Sequence, residues 1–181
     1  MAVKIVYFVH GTTTDNLEKK ATGWLGGELS EKGIEQANTL AEIIKDKHFD
    51  VVFSSDLHRA IQSAKIDFKY HKDISILSSE KIRECNYGDY NGKDSVFADY
   101  SSHIEIPFPN GESLLDVEKR VREFCDYLKQ NYDKKTVALV SHKAPQLALD
   151  VIINNKSWNQ ALKDDWRITK DWKPGWEYIL N

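Results

Sequence analysis

Two histidines and an arginine stand just after apolar, β-rich runs of the sequence. His10 follows the run at residues 3–9, His142 ends a later run, and Arg59 comes shortly after a third. A neutral imidazole can form a covalent intermediate, and a guanidinium fork matches the oxygens of a phosphate group. Alone, a histidine at a strand end is more often structural, and Arg59 is more often a surface charge. The interpretation therefore depends on whether the fold brings the three segments together.

The elements that must position these side chains alternate between strands and helices. Strands are predicted at residues 3–9, 49–55, 74–79 and 136–142. This alternation indicates an α/β fold, a three-layer αβα sandwich with a mostly parallel central sheet. Ligands of such folds bind at the carboxyl ends of the strands, where all three segments end. The tail at residues 166–180 predicts two antiparallel strands, a hairpin at one edge of the sheet.

Capping residues and apolar spacing predict the helices. Ser30 and Asp56 are candidate N-caps, Ser113 with Asp116 matches a capping box, and a further helix is predicted over residues 145–153. The buried faces are predicted from residues three and four apart. They carry Ile34, Ala37, Ala41 and Ile44; Ala60, Ile61, Ala64 and Phe68; and Val117, Val121, Phe124 and Leu128.

Length and charge narrow the class of protein. With 181 residues, 41% of them hydrophobic, the chain is expected to form a single domain over residues 1–181. A formal charge of -3 gives no general attraction to nucleic acid or to an anionic membrane. No leader-like or membrane-spanning run occurs, so a cytoplasmic location is expected. Cys85 and Cys125 are expected to be free thiols, in keeping with a reducing compartment.

Five blocks of the sequence carry a family likeness. VHGTTTDN, SSDLHRA, IRECNYGDYNG, PNGESL and VSHK together resemble the histidine phosphatase superfamily, also called phosphoglycerate-mutase-like. The resemblance covers residues 5–143 with the spacing between blocks, and GWLGGELSEKG looks like the family's loop before its first helix. It implies a phosphoglycerate mutase-like fold.

The resemblance also implies catalytic roles. His10 matches the nucleophile that forms phosphohistidine, and Arg59 and His142 match the residues that hold the transferred oxygens. Glu84 matches the general acid that protonates the leaving oxygen and then activates water. Without the other blocks, a surface Glu84 paired with Arg83 would be the better interpretation.

Further positions match the substrate-binding part of the family pattern, with two departures. Gly11 is expected to allow close backbone approach, while Thr13 and Asn16 match positions that contact the phosphate or support its loop. Val9 stands where the family usually has a phosphate-binding arginine. Lys143 replaces a glycine that often follows the second histidine, and we hypothesise that it partly restores the missing charge.

The preferred function is a phosphomonoester hydrolase acting on a small phosphorylated metabolite, without metal or cofactor. A phosphoester-binding or regulatory protein with impaired catalysis stays open because of Val9, and so does a phosphoglycerate-mutase-type phosphotransferase. The length is more similar to the compact phosphatases of the family. A serine hydrolase that uses Ser141 or Ser54 is a minor alternative, because the sequence lacks a G-x-S-x-G elbow. Cys85 as a nucleophile lacks a nearby base, and a metal hydrolase is disfavoured because the histidines lack metal-binding spacing.

Substrate identity is expected to depend on the irregular region at residues 85–112 and on the tail. Phe97, Tyr100 and Phe108 either form an apolar wall for the leaving group or pack within this region. A homodimer also stays open.

Overall fold

The computed structural model describes residues 2–181 and contains a five-stranded sheet. The spatial order is β3-β2-β4-β1-β5; the first four strands are parallel, and β5 runs antiparallel to β1. The strands are β1 (Val3–Val9), β2 (Val51–Ser55), β3 (Ile76–Ser79), β4 (Thr136–Ser141) and β5 (Trp176–Leu180).

Helices cover both faces of the sheet. On β1, Val6 and Phe8 pack in the cluster on one face, whereas Ile5 and Tyr7 pack in the cluster on the other. The helices are α1 (Thr14–Leu17), α2 (Glu31–Ile44), α3 (His58–Asp67), α4 (Leu114–Asn131), α5 (Lys143–Asn154), α6 (Trp158–Lys163) and α7 (Trp166–Thr169). The first face carries α2 and α3, and the second carries α4 and α5. Within residues 2–181, no helix is both long and apolar enough to cross a membrane.

The predicted α/β sandwich is confirmed, with two local corrections. Ser30 caps α2, and the predicted capping box at Ser113 precedes α4. Asp56 does not cap α3: the N-cap position is Leu57, because the Asp56 carboxylate forms an ion pair with Arg83 instead. Ile34 was placed on the buried stripe of α2, but its side chain is 43% exposed.

The predicted hairpin in the tail is wrong. Residues 166–169 form the short helix α7, whose first turn is capped by the side chain of Asp165, and only β5 is a strand. The indole rings of Trp166 and Trp176 stack with their centroids 5.1 Å apart, which packs α7 against the start of β5. This long-range contact replaces the strand pairing that the local pattern favoured.

The region at residues 85–112 is irregular, as predicted, but it is not confined to the surface. It contains only short 3₁₀ turns, at Gly88–Tyr90, Ser95–Phe97 and Ser101–His103. Phe108 and Tyr100 are buried in the core, and Phe97 is half exposed against Tyr90. Both cysteines are buried and unpaired.

Candidate active site

A cavity of about 830 Å³ opens at the carboxyl edge of the parallel strands. Residues from distant parts of the sequence line it, because β1, β2 and β4 end at this edge. The predicted site residues on its wall are His10, Gly11, Asn16, Arg59, Glu84 and Lys143. The fold therefore brings most of the predicted set into one cavity.

The ring of His10 is fixed in one neutral tautomer. Its Nδ1 lies 2.8 Å from the carbonyl oxygen of Gly11, which can only accept, so Nδ1 carries the proton. Arg59 Nε lies 3.3 Å from Nε2 and can only donate, so Nε2 holds the lone pair. Burial, together with the positive charge of Arg59, lowers the pKa of His10 to about 3. A neutral imidazole whose Nε2 is unprotonated is the nucleophilic form.

Arg59 joins the nucleophile to the loop before α2. Its Nη1 donates to the carbonyl of Leu25 at 3.0 Å, and its Nη2 donates to the carbonyl of Gly23 at 2.8 Å. The side chain is buried, and burial lowers the pKa of Arg59. A phosphoryl group approaching His10 would take over the Nε donor and release the lone pair of Nε2.

His142 lies against His10 at the N-cap position of α5. The ring centroids are 5.0 Å apart, in an edge-to-face arrangement. The Tyr7 hydroxyl donates to the His142 carbonyl at 2.6 Å and accepts from its peptide N–H at 3.0 Å, which fixes the backbone. Burial, then the charge of Arg59, lowers the pKa of His142 well below its ordinary value. His142 is thus a neutral N–H donor, and it is fully buried beside the cavity wall.

No partner among residues 2–181 binds the ring nitrogens of His142. Buried polar atoms normally have a hydrogen-bond partner, and the neutral His142 ring has one N–H to donate. An oxygen of a phosphoryl group on His10 is suited to accept from this N–H, whereas it cannot bond the unprotonated nitrogen of the ring.

Glu84 is held by the N-terminus of α5. Its Oε1 accepts from the peptide N–H of Ala144 at 2.9 Å, from that of Cys85 at 3.0 Å and from the Tyr100 hydroxyl at 3.0 Å. Its Oε2 accepts only the longer bond of 3.2 Å from the peptide N–H of Lys143. Since Glu84 also lines the cavity, Oε2 is the oxygen suited to proton transfer.

The backbone next to Glu84 is fixed by an arginine that the sequence interpretation missed. Arg120 on α4 donates to the carbonyls of Arg83 at 2.8 Å and Glu84 at 3.0 Å, and it forms an ion pair with Glu112 at 2.8 Å. Arg83 itself pairs with Asp56, so the surface pairing of Glu84 with Arg83 does not occur. Arg120 stands on the predicted helix, but only the tertiary fold shows which carbonyls it reaches.

The loop after β1 rests on α2. A Cβ on Gly11 would lie 2.6 Å from the carbonyl oxygen of Gly33, so glycine is needed for contact with the helix. Thr13 Oγ1 accepts from the peptide N–H of Asn16, and Asn16 Oδ1 accepts from that of Thr13, both at 3.0 Å. Thr13 is buried and supports the loop, whereas Asn16 reaches the cavity wall.

Two cations from different segments share one buried carboxylate at the cavity. Lys143 Nζ lies 3.2 Å from Asp165 Oδ2 and 4.9 Å from the ring centroid of Tyr100. Arg167 Nη1 donates to Asp165 Oδ1 at 2.9 Å, and Arg167 lines the same cavity as Val9. The sequence interpretation missed Arg167 because it placed this residue in a strand of the hairpin.

No group of three or more His, Cys, Asp or Glu side chains within residues 2–181 is arranged to hold a metal ion.

The chain belongs to the histidine phosphatase superfamily (branch 1), whose sequence profile matches residues 6–163. This confirms the resemblance found in the sequence blocks. The fold is that of a phosphoglycerate mutase-like protein, as the solved structures that resemble it show.

Relatives within the family include both phosphatases and mutases. Phosphoserine phosphatase 1 of Hydrogenobacter thermophilus is 29% identical over 81% of this chain and 74% of its own length. A 2,3-bisphosphoglycerate-dependent phosphoglycerate mutase of Parvibaculum lavamentivorans is 34% identical over 87% of this chain and 83% of its own. The structure of a mycobacterial glucosyl-3-phosphoglycerate phosphatase has a TM-score of 0.77 at 25% identity, covering 89% of this chain and 84% of that one.

Proposed function

We propose that the protein hydrolyses phosphomonoesters through a phosphohistidine intermediate on His10. The observation that carries this proposal is the neutral His10 ring, whose Nε2 lone pair faces Arg59 inside a cavity that also contains Glu84. A histidine held only for structure has no need of a fixed tautomer with its nucleophilic nitrogen beside a phosphate-binding group.

In the first half-reaction, Nε2 of His10 attacks phosphorus and a new N–P bond forms. The ester P–O bond breaks, and Glu84 in its protonated form gives its proton to the leaving oxygen. Arg59 and the N–H of His142 donate to the phosphoryl oxygens as negative charge builds on them. Lys143 adds positive charge on the cavity wall.

In the second half-reaction, water attacks the phosphorus of phosphohistidine. The Glu84 carboxylate takes a proton from this water, the N–P bond breaks, and His10 regains its lone pair as inorganic phosphate forms. Glu84 ends the cycle protonated, ready for the next ester. A mutase would instead use a hydroxyl group of a second substrate as the acceptor.

The named relatives suggest the class of substrate. Phosphoserine and glucosyl-3-phosphoglycerate are small phosphorylated metabolites that carry a carboxylate near the phosphate. A cavity whose wall also bears Lys143 and Arg167 suits such anionic compounds.

Val9 favours a second candidate, a phosphoester-binding protein that does not turn its ligand over. The apolar side chain stands beside the nucleophile and lines the cavity without offering a donor. Loss of two charge-assisted hydrogen bonds, at roughly 1.5–3 kcal/mol each, would slow turnover by on the order of 10²–10⁴.

The test is phosphate release from a panel containing phosphoserine, 3-phosphoglycerate and a simple aryl phosphate. We expect release by the wild type, its loss in His10→Gln, and no change in His58→Gln, which alters an exposed histidine one residue from Arg59. A labelled phosphoenzyme that survives alkali but not acid should appear in the wild type and in His58→Gln but not in His10→Gln. Release that persists in His10→Gln would refute the proposal.

Two further arms separate the alternatives. A silent wild type that gains activity in Val9→Arg would support the binding protein. Conversion of 3-phosphoglycerate in the presence of 2,3-bisphosphoglycerate, faster than phosphate release, would identify a mutase.

A further inference from the structure

The direction of β5 brings the tail to the active-site edge. Because β5 is antiparallel to β1, its first residue, Trp176, lies opposite Tyr7, near the end of β1. The segment that leads into β5 therefore arrives at the edge where His10 stands. Trp166, Arg167 and Trp176 from this segment and strand all line the cavity.

The charge needed at this edge exceeds what Arg59 supplies. A phosphate ester carries about two negative charges near neutral pH. Arg59 offers one positive charge, and its two Nη atoms are already bonded to the carbonyls of Gly23, Leu25 and Gly26. Only its Nε is directed at His10.

Arg167 is held in place by buried partners. The carboxylate of Asp165 is fully buried and accepts from Arg167 Nη1 at 2.9 Å. Gln146 Oε1 lies 3.3 Å from Nη2 of Arg167, and the Trp166 ring centroid lies 4.4 Å from the guanidinium carbon. No acceptor among residues 2–181 binds Nε of Arg167, so donor capacity is left for a ligand in the cavity. Burial alone would raise the pKa of Asp165, but Arg167 and Lys143 hold it below its ordinary value, so the carboxylate stays ionised.

The charge of Arg167 is felt at both catalytic rings. Burial and Arg59 are the larger causes of the lowered pKa of His10 and of His142, and Arg167 contributes to the lowering in both. Arg167 and His10 also line the same cavity, so a phosphoryl group on His10 would lie in the space that Arg167 borders.

We infer that Arg167 is a phosphate-binding residue of the active site, which Asp165 positions from the tail and which supplies the charge that Val9 does not. This inference rests on the proposed function, since it assigns a group to the same phosphoryl-binding site. Arg167 donates to the phosphoryl oxygens from the β5 side of the cavity, and Arg59 donates from the β2 side. Asp165 acts as a positioning residue that does not touch the substrate.

The experiment is a double-mutant cycle between positions 167 and 9. Wild type, Arg167→Gln, Val9→Arg and the double variant are titrated with inorganic phosphate by calorimetry, which requires no turnover. Loss of one charged donor should weaken phosphate binding by roughly 10- to 100-fold in Arg167→Gln. In that background, Val9→Arg should restore affinity at least about tenfold, and its effect in the wild-type background should be smaller.

The matched control is an arginine outside the cavity. Arg122→Gln removes an exposed arginine of α4 outside the cavity wall, and it should bind phosphate within about twofold of the wild type. Unchanged affinity in Arg167→Gln, or an equal effect of Val9→Arg in both backgrounds, would overturn the inference.

Two further comparisons keep the test decisive. If circular dichroism shows that Arg167→Gln is unfolded, Arg167→Lys is titrated in its place. Lysine keeps the charge that pairs with Asp165 but lacks the guanidinium fork, so phosphate affinity should still fall several-fold. No fall would overturn the inference. Turnover is measured separately, by comparing phosphate release by the wild type with phosphate release by His10→Gln. Weakened phosphate binding in Arg167→Gln, together with a wild type that releases no phosphate, would support the inference while the proposed hydrolase activity fails.

Discussion

The neutral state of His10 in the folded protein makes the stability of the protein depend on pH. The unfolded chain binds a proton on this ring below a pKa of about 6.5, whereas the folded protein does so only below about 3. Between these values the unfolded state binds more protons, so the free energy of unfolding falls as the pH falls. Above the unfolded-state value, the contribution of His10 is fully retained.

The expected size is set almost entirely by the unfolded chain. The linkage relation gives a loss of about 2 kcal/mol from His10 between about pH 7.5 and pH 5. At pH 5 the folded ring is still neutral for any folded-state pKa below about 4, so a small change in that value alters the result little. His142 has a lowered pKa for the same main reason, burial, and adds a loss of the same sign.

Urea denaturation of wild type and His10→Gln at the two pH values isolates the contribution of this ring. Glutamine does not titrate, so the difference in unfolding free energy between the two proteins should change by about 2 kcal/mol, with the variant gaining at pH 5. His58→Gln, which removes an exposed histidine, is the control. A difference that is the same at both pH values within about 0.5 kcal/mol would refute the assignment of a neutral His10 ring to the folded protein.

Two further substitutions test the supports of the site. In Gly33→Ala the new Cβ overlaps the carbonyl oxygen of Thr12, so the free energy of unfolding should fall by about 1–3 kcal/mol in urea titrations. Gly26→Ala is the control: its Cβ meets open space, so it should change the free energy of unfolding by less than about 0.5 kcal/mol. Tyr100→Phe removes the hydroxyl that donates to Glu84 at 3.0 Å and should lower kcat by about tenfold. An unchanged kcat would show that this hydrogen bond does not support the acid.

Local sequence signals predicted the sheet and most helices because those signals act over a few residues. The continuous apolar run of β1 and the reciprocal bonds between Ser113 and Asp116 are examples. The prediction that His10 and His142 converge also held, since parallel strands necessarily end at one edge. The family likeness supplied Glu84, which no spacing rule pointed to.

The failures involve side chains whose partners are distant in the sequence. Asp56 looks like a helix cap, but Arg83, 27 residues away, provides a stronger charged partner. Aromatic residues in the tail favoured two strands, yet stacking of Trp166 on Trp176 and the cap from Asp165 favour a helix there. The cap joins Asp165 to Arg167 only two residues away, but the stacking depends on Trp176, which lies in a different element.

The antiparallel edge strand explains why an apolar residue at position 9 does not by itself leave the cavity short of charge. Next to His10 in the sequence stands Val9, which supplies no positive charge. The fold returns the chain to the same edge after more than 150 residues, and the returning segment places Arg167 on the wall of the cavity that His10 also lines. Phosphate binding depends on where charge lies in space and not on which segment carries it. If the coupling between positions 9 and 167 is as proposed, loss of a motif residue is a poor guide to loss of activity in this chain.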